Sequence, residues 1–117
     1  MTNDDRFADR LLADTYEQDE PVQLDYGDVQ RAVLVPERLF GRAQCLARAY
    51  DLHLFPTIDI YTKTRLNRAQ CETLLDEIAF VASVSNDELL REHLVRIQEV
   101  VATCMRLPQC ELCIEGP

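Results

Sequence analysis

Between Phe55 and Gln70, in FPTIDIYTKTRLNRAQ, several side chains able to recognise a ligand fall close together. Asp59, Tyr61, Thr64 and Asn67 would offer a carboxylate, a phenol, a hydroxyl and an amide to one recognition site. Cys110-x-x-Cys113 is the second grouping, with a spacing that suits zinc or redox chemistry. It has no second C-x-x-C to complete a zinc set, and neither His53 nor His93 is near in sequence. If 109–115 is a strand, the two thiols also point to opposite faces. The cysteines therefore read as buried apolar thiols, and no metal or cofactor is expected. Asp25 and Asp59 could act as paired carboxylates, but nothing in the sequence joins them. With no nucleophile elbow, and only three glycines to build a phosphate loop, the chain is not expected to be an enzyme.

The elements around these residues follow from periodicity. VQLDY alternates, with Val22, Leu24 and Tyr26 on one face. Gly27-Asp28 signals a turn, and VQRAVLV reads as a second extended run. Pro36 suits a first helical turn, and Leu39, Phe40, Ala43, Leu46, Ala47 and Tyr50 recur at helical spacing, predicting a helix over about 37–51. TIDIYT alternates as a strand, with Ile58 and Ile60 facing one way and Asp59 and Tyr61 the other; KTR is the turn after it. Asn67 and Gln70 form a capping box for a helix that stops near Ser83 and buries Cys71, Leu74, Leu75, Ile78, Val81 and Ala82. Ser85 and Glu88 repeat that logic for a last helix, whose inner stripe is Leu90, Leu94, Ile97, Val101 and Cys104, with His93 at its border. Pro108 ends it, and QCELCIE closes the chain as a strand with Cys110, Leu112 and Ile114 on one face.

These faces predict an α+β fold, a small two-layer domain of three or four short strands packed against three helices. At 117 residues there is room for one core. The domain is expected to span 21–117 behind an acidic leader, 1–20, in which Phe7, Leu11 and Leu12 hint at a short helix. The face opposite the helices would carry Asp59 and Tyr61 beside Glu111, Cys113 and Glu115.

The order D-x-Y-x-x-T-x-x-N-x-x-Q, from Asp59 to Gln70, resembles a family of small uncharacterised bacterial proteins whose motif often reads like DPYGDTVFNRLQ. The likeness runs over about 22–116 and includes Leu90, His93 and Leu94 as L-x-x-H-L. This chain has Ile60-Tyr61-Thr62-Lys63 where a Pro and a Gly-Asp turn are commoner, and it ends in IEGP. The resemblance implies the α+β fold and little about activity.

Charge carries the functional expectation. The net charge is −9, and residues 1–30 hold nine acidic and two basic side chains against twelve and ten in the remainder. Such a chain repels nucleic acid and anionic membranes and favours a basic protein partner. The N-terminus MTNDDRFADR lacks the apolar core of a secretory signal, and the odd cysteine count suits reduced thiols, so a cytoplasmic location is expected. A small, acidic, non-catalytic cytoplasmic protein fits an immunity protein, which occludes the basic cleft of a cognate bacterial toxin. Asp25, Asp59, Glu111 and Glu115 would supply charge and Tyr26 and Tyr61 aromatic anchors. The alternative is an intracellular regulatory or scaffold module acting as a homodimer or within an assembly, with Thr64, Asn67 and Gln70 serving only the turn and the cap.

Overall fold

The computed structural model describes residues 19–27 and 31–117; the leader and its Phe7–Leu12 pattern lie outside them, except for Asp19 and Glu20. Strands β1 (Pro21–Asp25) and β2 (Val33–Pro36) form an antiparallel pair, followed by helix α1 (Glu37–Ala49). A short 3-10 turn, Phe55–Thr57, precedes β3 (Lys63–Leu66). Helices α2 (Arg68–Val84) and α3 (Glu88–Met105) follow, and β4 (Leu112–Glu115) ends the fold. The sheet order is β2-β1-β4-β3 with every neighbour antiparallel, so the last strand occupies the middle of the sheet. The α+β architecture, four antiparallel strands with three helices packed against them, is the one the periodicity predicts.

Strand alternation explains how the sheet meets the helices. Val22 and Leu24 on β1, Val35 on β2, Leu66 on β3 and Leu112 and Ile114 on β4 are buried. They pack with Leu39, Phe40, Ala43 and Ala47 from α1, Leu74, Ile78 and Val81 from α2, and Leu90, Leu94, Ile97 and Val101 from α3. The intervening strand residues point to the other side, which no described element covers. Asp19 ties the start of β1 to α1 by accepting from Arg38 Nη2 at 2.6 Å and Nε at 2.8 Å. The Arg38 hydrogen bond holds the Asp19 carboxyl below the usual carboxylate range.

The helix ends agree closely with their chemistry. Asn67 accepts from the Gln70 backbone N–H at 2.9 Å, and Gln70 Oε1 accepts from the Asn67 N–H at 2.9 Å, completing the predicted box. Asn67→Ala should lower stability by about 1 kcal/mol in urea unfolding, while the conservative Asn67→Asp should retain most of it. The start of α3 differs from expectation by two residues. Asp87 is the cap, accepting from the Leu90 N–H at 3.2 Å, while buried Ser85 accepts from the Asp87 N–H at 3.1 Å and fixes the approach. Asp87 prevails because its carboxylate also meets Arg42 at 2.9 Å and carries charge at the positive helix end. His93 is half-buried, its Nδ1 at 2.9 Å from the Leu89 carbonyl oxygen, as its border position suggests.

The largest correction falls on 57–66. TIDIYT is no strand, and KTR, expected as a turn, is most of β3. The Asp59 side chain accepts from the Tyr61 N–H at 2.8 Å, and the Asp59 carbonyl accepts from the Thr62 N–H at 3.4 Å. This local turn competes with a ladder and wins, since the bonds it makes need no partner strand. Ile58 is still buried and Ile60 half-buried, so the alternation is present in a loop rather than a strand. Thr64 accordingly belongs to β3, opposite Ile114 on the inner face, and not to a turn.

Candidate binding face and thiol cluster

Register sets the outer face of the sheet. Leu34, Gln23, Glu115 and Lys63 form one row across the four strands. Asp25, Cys113 and Arg65 form the next row, and Glu111 follows beyond it at the entrance to β4. Arg65 Nε lies 3.4 Å from Glu111 Oε1, and Lys63 stands directly across from Glu115. Asp25 accepts from Gln23 Nε2 at 2.9 Å and from the Gly27 N–H at 3.0 Å, which orients its carboxylate at the strand end. Leu34, 52% exposed on edge strand β2, is the apolar member. The face therefore mixes three carboxylates with two cations and is less uniformly acidic than the sequence suggests.

Only part of the predicted site comes together on it. Asp25, Glu111 and Glu115 share the face. Asp59 and Tyr61 are not on a strand; they sit in the 58–62 loop, just before Lys63. Gly116 places that loop at the Glu115 end of the sheet, since a Cβ on Gly116 would fall 1.4 Å from the Ile60 carbonyl oxygen and only glycine allows the approach. Tyr61 is 74% exposed there. Tyr61→Ala should change the unfolding free energy measured in urea by less than about 0.5 kcal/mol. Tyr26 belongs to the opposite side, packed against the core and lining a groove with Arg31, Val33, Arg96 and Val100. It is the alternation of β1 that turns Tyr26 away from Asp25. Asp25 and Asp59 are each engaged locally, Asp25 by Gln23 and the Gly27 N–H and Asp59 by the Tyr61 N–H, and no hydrogen bond joins them.

The loop is held by two buried polar side chains that the sequence does not single out. Gln44 of α1 donates through Nε2 to the Phe55 carbonyl at 3.0 Å and the Ile58 carbonyl at 2.7 Å. Glu77 of α2, 7% exposed, accepts from the Leu54 N–H at 3.0 Å and from the Phe55 N–H at 3.0 Å. Between them Phe55 is fully buried, its ring edge-on to Phe40 at 5.3 Å. In sequence each of these two residues reads as one more polar position on an amphipathic helix.

A second concentration of chemistry lies inside the fold. Cys71 on α2, Cys104 on α3 and Cys110 before β4 bring their Sγ atoms within 4.8 Å of one another. Cys104 and Cys110 are 3.4 Å apart, and Cys110 and Cys71 3.8 Å. Cys113 lies on the other sheet face, so Cys110-x-x-Cys113 is not the operative pair, as strand alternation predicts. Burial, reinforced by hydrogen bonding to Cys110, pushes the Cys71 thiol up to about 12 and that of Cys104 to about 11.

Among the described residues no helix is long and apolar enough to cross a membrane. Comparison with family models, curated proteins and solved structures finds no match. The likeness of the Asp59–Gln70 run to a bacterial family thus gains no support from them, and no family is assigned.

Proposed function

We propose that this chain is a non-enzymatic binding protein that takes a basic protein partner on the open face of its sheet, in the manner of an immunity protein occluding a toxin cleft. The observation that carries this reading is the one-sided packing: all three helices lie on one face, and no described element covers the other. A net charge of −9 gives the chain a field that draws a basic surface toward it and repels nucleic acid. On the face itself, Asp25, Glu111 and Glu115 meet the partner's cations. Lys63 and Arg65, interleaved with them, fix its orientation, because a misplaced partner would bring like charges together. Tyr61, exposed at the rim beside Lys63, is the aromatic anchor.

A specific observation favours one other reading. Leu34 lies exposed on β2, whose outer edge has no partner among the described residues, where a second copy of the chain could add its own β2 and make a scaffold or regulatory homodimer. The two readings separate by salt and size. Binding of a basic partner through charge weakens steeply between low and moderate salt, and Tyr61→Ala weakens it about tenfold or more while the chain stays monomeric in light scattering. A salt-insensitive homodimer that dissociates on Leu34→Lys would instead support self-association and sink the heterologous partner.

A further inference from the structure

We propose that Cys71, Cys104 and Cys110 form a trigonal binding site for a monovalent soft cation, Cu(I). The three thiols reach one point from three separate elements, and their spacing is that of a shared ion. A triangle with edges of 3.4, 3.8 and at most 4.8 Å has its centre no more than about 2.4 Å from each sulfur, close to a metal–thiolate bond of about 2.3 Å. A centrally placed ion therefore needs little movement of the side chains. Thiolates select soft ions such as Cu(I), whereas structural zinc sites close with a fourth ligand. The histidines do not provide it: His53 is exposed in the loop after α1, and His93 is about 16 Å up α3 from Cys104.

Access and charge support the assignment. Cys110 is half-buried and lines a groove of about 240 Å³ together with Arg65, Leu66, Asn67, Gln70 and Glu111, which gives an ion a route to its sulfur. Loading breaks three S–H bonds, sends three protons to solvent and forms three Sγ–Cu bonds, with copper remaining Cu(I). The centre then carries a net charge of −2. Arg68, which donates to the Met105 and Leu107 carbonyls beside the Cys104–Cys110 link, offsets part of it. A disulfide would use two of the thiols, whereas this centre uses all three. The buried thiols are poor nucleophiles while they keep their protons, and a bound ion supplies what displaces those protons.

The test uses the reduced full-length chain under anaerobic conditions, titrated with Cu(I) held by a colorimetric chelator. The expected result is one Cu(I) withdrawn per chain, with three sulfur neighbours in X-ray absorption. Cys71→Ser and Cys110→Ser should each weaken retention about 100-fold or more, and Cys45→Ser with Cys113→Ser should leave it unchanged. Circular dichroism verifies the fold, and Cys110→Ser, at the least buried of the three positions, decides the matter should Cys71→Ser not fold. The assignment is overturned if the wild-type chain withdraws no copper, if Cys110→Ser retains it as tightly, if the control pair abolishes it, or if Zn²⁺ displaces Cu(I).

Discussion

Glu77→Ala will lower the stability of this protein by about 3 kcal/mol, as much as truncating a buried leucine of its core helices. The carboxylate is nearly sealed from solvent and accepts from two consecutive backbone donors, Leu54 N–H and Phe55 N–H. Alanine leaves both donors without an acceptor, and each buried unpaired donor costs about 1–3 kcal/mol. Water can relieve part of that only by loosening the loop, which would unseat Phe55 from its edge-on contact with Phe40. Glu77→Gln keeps one oxygen acceptor but turns an NH₂ group toward a donor, so its loss should be about half as large. Urea unfolding of the three proteins checks the order, with a fall in midpoint at constant slope marking a true stability change. A wild-type midpoint for Glu77→Ala would show that the loop does not depend on this carboxylate.

A larger effect is expected from removing residues 112–117, because the last strand is the keystone of the sheet. β4 pairs with β1 through Gln23–Glu115, Leu24–Ile114 and Asp25–Cys113, and with β3 from Lys63–Glu115 to Leu66–Leu112. Truncation breaks both ladders and separates the β1–β2 hairpin from β3. It also deletes Leu112 and Ile114, both fully buried, each contributing about 1.5–3 kcal/mol, and exposes Leu24 and Leu66 across the gap. Those losses together approach the whole stability of a domain this size, about 5–15 kcal/mol. The truncated chain should therefore lose its cooperative thermal transition and its resistance to protease. Retention of a cooperative transition would mean that the helices and the hairpin hold together without the sheet centre.

How much of this was readable in advance follows from what each feature depends on. The Asn67–Gln70 box and the inner stripes of α2 and α3 rest on residues a few positions apart, and their pattern transfers directly from sequence to structure. The strand over TIDIYT failed for a local reason of the opposite kind: Asp59 satisfies the backbone of its own turn, and the alternating pattern it interrupts is compatible with a loop that buries Ile58. Glu77 and Gln44 were not legible because their partners are backbone groups of a loop more than ten residues away, and periodicity registers only that a polar residue stands on a helix. The thiol cluster is an intermediate case. Cys71 lies near the start of α2 and Cys104 near the end of α3, so an antiparallel pair brings them level, and Cys110 lies on the inward side of the chain entering β4. Periodicity marks each of the three as inward-facing, but Cys110-x-x-Cys113 is defined by spacing along the chain, whereas the three thiols meet through their levels within the fold.

The sheet face that no described element covers is where the proposed partner binds, and its charges make that binding testable. Asp25 and Glu115 occupy adjacent rows there, whereas Glu72 on α2 and Glu92 on α3 are exposed on helices of the other layer. Reversing either pair to lysine changes the net charge equally, so a difference between the two variants reports position and not overall field. The decisive measurement is quantitative capture from a cell lysate on three immobilised baits, the wild-type chain, Asp25→Lys with Glu115→Lys, and Glu72→Lys with Glu92→Lys, each eluted in rising salt. The account predicts a basic protein recovered by the wild type and by the helix-layer variant, released at moderate salt, and reduced at least about tenfold on the sheet-face variant. Equal recovery on all three baits, or loss only with the helix-layer variant, would contradict it.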